Sequence, residues 1–177
     1  MTGPADPVDG LMASLDAALV VVTVAAGDER AGCLVGFHTQ TSIDPVRYSV
    51  WLSKANRTFD VALHATHLGI HLLTDGDHDL ARLFGGVSSD EVDKFARVPV
   101  ETSVGGVPVL GACPHRMVVR ITAVLDEGGD HVCFVTAPVE VTSAGRFDPL
   151  RLSAVDDIDP GHEADELPRP PPRSAAG

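Results

Sequence analysis

Positive charge is scarce in this chain. It carries two lysines, Lys54 and Lys94, and 13 basic residues in all against 25 acidic ones, for a formal net charge of −12. Such a surface repels phosphate backbones and anionic headgroups, which excludes nucleic acid or a membrane as a general partner. Cysteine is also sparse. Cys33, Cys113 and Cys133 are an odd, widely spaced set without a CxxC pair, the pattern of reduced thiols rather than of a disulfide framework. The longest apolar run, near Leu19 to Ala26, falls well short of the roughly 20 residues a membrane helix needs. The first residues, MTGPADPVDG, lack the basic start and apolar stretch of a secretory signal. These absences lead to the expectation of a soluble, cytoplasmic domain.

The common chemical signatures are missing as well. The chain has no GxGxxG after a strand, no GxxxxGK[ST], no HExxH and no GxSxG. His64, His67 and His71 look like a metal set, but a break from helix to strand is expected between His67 and His71, so helical spacing cannot gather them and no metal is assigned. In Cys113-Pro114-His115 the adjacent side chains of an extended chain point apart, which argues against a thiol–imidazole pair.

What is present is a β-rich body. Residues 1–9 look flexible, 10–155 form one domain and 156–177 an acidic, proline-rich tail that cannot bury enough apolar area to order itself. The PRPPPR run of that tail could dock on an SH3-like groove, though solvation fits its composition better. A helix is expected over Gly10 to Ala18, then a strand buried on both faces over Leu19 to Val24, turned back at Gly27-Asp28-Glu29 into a second strand over Cys33 to Phe37. Thr39 to Ser42 read as a polar turn, Asp44-Pro45 as a tight one, and Tyr48 to Leu52 as a strand. Asn56 is a good N-cap for a helix through Phe59 and Leu63. Leu68 to Thr74 return to strand, Asp77 to Phe84 form a helix ended by Gly85-Gly86, and another helix runs from Ser88 to about Arg97. Arg116 to Leu125 and His131 to Val141 form a hairpin about Glu127-Gly128-Gly129-Asp130, with Pro138 marking an edge or a bulge. About six or seven strands with two or three short helices and no βαβ alternation predict a mainly β protein, a closed or split barrel.

The most site-like stretch is 30–58, RAGCLVGFHTQTSIDPVRYSVWLSKANRT, which runs from strand through polar turn and strand to a cationic helix start. Lys54 and Arg57 there, joined by Lys94 of Asp93-Lys94-Phe95, would make a phosphate pocket if the fold gathered them; spacing alone does not separate that from ordinary solvated charge.

Taken in order, the 32–45 stretch, SKANRT, LGIHLL, HDLARLF, DEVDKFA, GVPVL and GDHVCFV resemble the flavin reductase-like family over roughly Leu15 to Val141. The resemblance implies an FMN-binding split β-barrel, homodimeric, working as an NAD(P)H-dependent flavin reductase with FMN, or FAD as the alternative, and NAD(P)H as hydride donor. A monooxygenase or another acceptor of reduced flavin is the implied partner. Carried over by position, Leu34, Val35, Gly36, Phe37, His38, Thr39, Gln40 and Thr41 would lie along the flavin ring. Asn56, Arg57, Thr58 and Lys54, with Lys94 and Phe95, would bind the phosphate, and His131 would shape the nicotinamide face unless it is an ordinary core or surface histidine. No catalytic acid or base is assigned. The chain departs from the family at Gly36 and Phe37, where small hydroxyl residues are common, at His71 in place of an asparagine, and at Val46 in place of a proline; the closing Gly-Arg-Tyr is not evident. Those departures keep open a non-catalytic flavin carrier or redox sensor, or a barrel that has exchanged FMN for a deazaflavin or haem.

Overall fold

The computed structural model describes residues 7–86 and 92–158. The first helix, α1 (Pro7–Ala13), begins three residues before the expected start and ends five before the expected end. Proline is well tolerated in a first helical turn, and Asp16, at φ 46°, has left helical geometry. So residues 7–9, expected to be loose, are helical.

Strand β1 (Val20–Ala26) lies between β2 and β5, and its β-branched run is buried on both faces as expected. Val20, Val22 and Val24 enter one hydrophobic cluster, while Leu19 and Val21 enter another. A turn at Gly27-Asp28, with Gly27 at φ 58°, leads into β2 (Glu29–Val35), which pairs with β1 from Ala26↔Glu29 to Val20↔Val35. The hairpin is the expected one, but its tight turn starts β2 four residues early and leaves Gly36-Phe37 outside the strand. Residues expected to form a polar turn are instead strand β3 (His38–Ile43). β3 is the sheet's edge strand, with only β4 beside it, so its polar side chains gave no apolar alternation to read. The Asp44-Pro45 turn joins it to β4 (Val46–Ser53).

After helix α2 (Arg57–Ala62) come β5 (His67–Leu72) and helix α3 (His78–Gly85). A short 3-10 turn spans Lys94–Arg97; the start of the helix expected from Ser88 lies outside the described residues. Two three-residue strands, β6 (Val100–Thr102) and β7 (Pro108–Leu110), pair with each other. The long hairpin β8 (Arg116–Leu125) and β9 (His131–Thr142) follows. Val118↔Glu140 and Val119↔Pro138 leave Val139 as the extra residue of a bulge, and Thr136 is the last β9 residue paired with β4, so Pro138 also has one open side.

The seven-stranded antiparallel sheet has the order β2-β1-β5-β8-β9-β4-β3. Laid flat, its first and last strands would stand about 29 Å apart at ~4.8 Å per step. Yet β2 and β3 are joined by Gly36 and Phe37 alone, a connection that reaches about 10 Å. The sheet therefore curls until two edges meet at one corner, where Trp51 N donates to Phe37 O (2.9 Å). Val22, Val50, Leu52, Ile70 and Phe134 fill the inside of the curl. On the outside, Leu73, Ala81, Phe84, Phe95 and Leu110 gather with Leu150 and Val155. Of the tail expected from 156 onward, Asp157 is bonded to α3 and Ile158 N to Val155 O, and 159–177 lie outside the described residues. Among the described residues no helix is long and apolar enough to cross a membrane.

The fully buried His71 fastens the small sheet to the large one. Its Nε2 accepts from Leu110 N (3.0 Å), which fixes the proton on Nδ1, facing Val21 O at 3.2 Å. Burial first, then the Arg116 charge, pull its pKa down from 6.5 to about 4, against the opposing bond to Val21. The unfolded chain thus takes a proton below pH 6.5 that the folded chain refuses. His71 contributes nothing to pH dependence above 6.5 and costs stability as pH falls from 6.5 through about 4, by about 3 kcal/mol in all. Urea unfolding at a series of pH values is expected to show that loss in the parent chain and its absence in His71→Gln; parallel profiles would refute the assignment.

Candidate functional site

A cavity of ≈ 340 Å³ opens at the corner where the sheet edges meet. Its floor is the end of β2 and the link beyond it, from Cys33 to Phe37. Trp51, Leu52 and Ser53 of β4, with Asn56 and His131, form one wall; Phe84 and Gly85 at the end of α3 form another. The third side is built by Ala17 and Leu19 together with Leu152, Val155 and Ile158 of the C-terminal segment. The lining is mainly apolar with a few polar groups, the usual character of a small-molecule site.

Of the residues expected at the site, Leu34, Val35, Gly36, Phe37, Asn56 and His131 line this cavity. Phe37 is 61 % exposed at its lip, with its ring edge-on to His131 at 5.0 Å. His131 Nδ1 lies 2.9 Å from Asp130 Oδ1, and that bond holds the Asp130 carboxyl below its ordinary pKa. Asn56 caps α2, its Oδ1 accepting from Thr58 N at 2.9 Å.

His38, Thr39, Gln40 and Thr41 are not in the lining, because β3 carries them away from it. His38 acts as a clip beside the cavity: Nε2 donates to Ala18 O (2.8 Å) and Nδ1 accepts from the Tyr48 hydroxyl (2.6 Å). Burial lowers the His38 pKa and raises that of Tyr48 to about 12, so this neutral pair is stable. Gln40 Nε2 donates to Ser42 O, and Thr41 bonds Ser49 across the hairpin.

Lys54, Arg57 and Lys94, the cations expected at the phosphate, each meet a different partner. Lys54 pairs with Asp126 of the β8–β9 hairpin (2.9 Å) and Arg57 with Glu29 (3.3 Å). Lys94 is 4 % exposed, its ammonium donating to Gly32 O and Phe84 O (3.2 Å each) and lying 5.6 Å from the centre of the Phe84 ring. Burial pulls its pKa down, against the nearby Cys33. Phe95 packs in the outer core, edge-on to Phe84 and under the Arg30 guanidinium. Gly32 permits this arrangement, because a Cβ there would come within 2.8 Å of the Phe84 ring.

Thr58 is the one side chain among the described residues with a buried polar atom that makes no hydrogen bond of ordinary geometry. Its hydroxyl faces the Cys33 thiol, a weak partner, and Cys33 is itself pushed up to about 11 by burial, with Thr58 and Lys94 opposing. Cys33 therefore links the floor of the cavity to an orphaned hydroxyl and a buried ammonium.

Sequence reasoning missed several lining residues. Trp51 was seen only as strand, and Ser53 only as the first residue of the expected cationic helix start. Phe84 was seen as a helix core position, and Leu152, Val155 and Ile158 carry no local signal at all, because only the return of the chain brings them to the cavity.

Comparison with known proteins bears on this arrangement. The chain is 26% identical over 123 residues to FMN reductase (NADH) RutF of Pseudomonas syringae, covering 70% of this chain and 68% of that protein. It is 28% identical over 128 residues to the stachydrine N-demethylase reductase subunit Stc3 of Rhizobium meliloti, covering 70% of this chain but 54% of that one, so it spans about half the length of that relative. Its fold matches the crystal structure of an FMN-binding protein from Thermus thermophilus with bound 1-cyclohex-2-enone, at a TM-score of 0.72 and 25% identity, over 85% of this chain and 88% of the other. The model of the flavin reductase like domain matches residues 12–152, most of the described body, and the chain belongs to that family.

Proposed function

We propose that this protein is an NAD(P)H-dependent flavin reductase that binds FMN at the corner cavity. The observation that carries the reading is the pairing of an apolar slot with an unsatisfied hydroxyl and a buried cation beside it. Thr58 Oγ1 is buried without a partner, and the Lys94 ammonium is buried with only backbone carbonyls to meet it. A planar apolar ring with an attached phosphate has the complementary chemistry, so the residues present fit the group. Bound there, the flavin supplies the two-electron acceptor for a hydride. Leu34 to Phe37 would flank the ring, Thr58 and Lys94 would hold the phosphate, and Asn56 would order the start of α2 beside them. His131, whose Nδ1 is taken by Asp130, would offer Nε2 to the nicotinamide. The apolar lining excludes water from the transfer.

The curled sheet supports the split β-barrel of the family, and exposed apolar side chains on its rim support a homodimer: Ile43 is 83 % and Val141 70 % exposed, with Val46 and Val139 nearby in sequence. The reduced flavin would pass to a monooxygenase or another acceptor, in line with the subunit name of one relative. One observation favours the alternative of a flavin carrier: Phe37 stands at the cavity lip where it narrows the approach to His131.

Mixing the FMN-loaded protein with NADH or NADPH under anaerobic conditions is expected to bleach the flavin absorbance with catalytic turnover. Binding without bleaching would leave the carrier. Lys94→Met keeps the side-chain volume and removes the charge, so FMN affinity is expected to fall by about 1–3 kcal/mol, the scale of a charge-assisted hydrogen bond. Riboflavin, which has no phosphate, should be nearly indifferent; equal losses for both ligands would mean damage to the fold. Light scattering of the FMN-loaded protein should give about twice the 18.5 kDa chain mass, and a monomer at micromolar concentration would remove the dimer from the reading.

A further inference from the structure

The C-terminal segment 149–158 crosses the body as a strap and builds one side of the cavity. It is stitched down by backbone bonds: Leu19 N to Leu150 O (2.8 Å), Leu150 N to Leu73 O (2.9 Å) and Leu152 N to Ala17 O (2.9 Å). Leu150 and Val155 are buried in the outer core. Ser153 N and Oγ both donate to the Asp16 carboxylate (2.9 Å each). At its far end Asp157 bonds His78 Nε2 (3.1 Å) and Arg82 of α3. Ile158 then lies over Gly85, its Cγ2 3.7 Å from where a Cβ on that glycine would stand. The neighbouring Phe84 carbonyl is one of the two that hold Lys94. The strap thus ends beside the part of the cavity nearest the buried ammonium.

We infer that this strap is the specificity wall of the site, selecting a flavin mononucleotide and rejecting the dinucleotide; the inference rests on the flavin reading given above. Three observations support it. A cavity of ≈ 340 Å³ is near the bottom of the ~300–1,000 Å³ range of ligand sites, room for one ring system and its chain rather than for two. The strap side chains in the lining, Leu152, Val155 and Ile158, are all apolar, so a second phosphate or a ribose would lose water there without gaining a hydrogen bond. Asp156 adds an exposed carboxylate at the same end, in a chain of net charge −12, where it repels a further phosphate; Asp157 beside it is paired with Arg82 and His78. An adenylyl group extending from a phosphate at Lys94 meets this wall.

Equilibrium titration of the full chain with FMN and with FAD, read by flavin fluorescence, tests the assignment. The parent protein is expected to prefer FMN by about tenfold or more. Leu152→Ala with Ile158→Ala trims two side chains outside the buried set, and the ratio should then narrow to within about threefold, mainly through tighter FAD binding. Asp156→Ala, an exposed change that leaves the core and the Asp157 anchor intact, should move the ratio the same way if the double variant fails to fold. Equal affinities in the parent, or a ratio that neither variant moves, would overturn the wall. A parallel loss for both flavins would overturn it too, making the strap a support only. Failure of the parent to bind any flavin would sink the flavin reading itself, and this inference with it.

Discussion

Two residues, Gly36 and Phe37, hold together the edges of a seven-stranded sheet, and most of the molecule follows from that tether. A sheet that must bring its first and last strands to one corner has an inside, which fills with valine, leucine and phenylalanine. It also has an outside, which β1 and β2 must cover with α3 and the returning chain. At the corner the end of β2, the two-residue link and the end of β4 face one another around the cavity. Site and fold therefore share one cause.

The buried polar side chains divide along the same line. Thr23 and His71 are fully buried and satisfied, Thr23 donating to Pro108 O (2.6 Å) and His71 accepting from Leu110 N. Both bonds run from the large sheet to β7, so they fix the position of the small sheet. Thr58 is buried with its hydroxyl unsatisfied, Lys94 is buried with two backbone carbonyls as its partners, and both stand by Cys33 at the cavity floor. An unmet buried hydroxyl or ammonium costs free energy that a folded chain retains only where something else meets it. The satisfied pair explains architecture; the orphaned Thr58 hydroxyl beside the buried Lys94 charge is what a ligand would answer.

What could be read in the sequence was what is local. The continuous β-branched run of β1 announced a strand covered on both sides, Asn56 announced the start of α2, and the Gly128-Gly129 pair announced the β8–β9 turn. The floor of the cavity was legible too, since Leu34 to Phe37 are contiguous. β3 was not, because an edge strand exposed to solvent has no reason to alternate apolar and polar residues. Nor was the strap, whose Leu152 and Ile158 lie more than a hundred residues from the floor they face. The partners of two of the three cations were not legible either: Lys54 meets Asp126 and Arg57 meets Glu29, carboxylates brought to them only by the fold.

That pairing changes how an anion can be held. Ion pairs as exposed as Arg57–Glu29, Arg30–Asp93 and Arg82–Asp157 contribute little to stability, typically below about 1 kcal/mol each. Their effect is rather to cancel the positive field at the surface, and the acidic excess removes what is left. An anion approaching this protein therefore gains nothing at long range, beyond the ~8 Å over which salt screens charge. Attraction begins at contact, where Lys94 has already been stripped of water and the local dielectric is low enough for one charge to count. A chain that repels anions in general could still hold one of the right shape if the cation that meets it is kept buried, as Lys94 is.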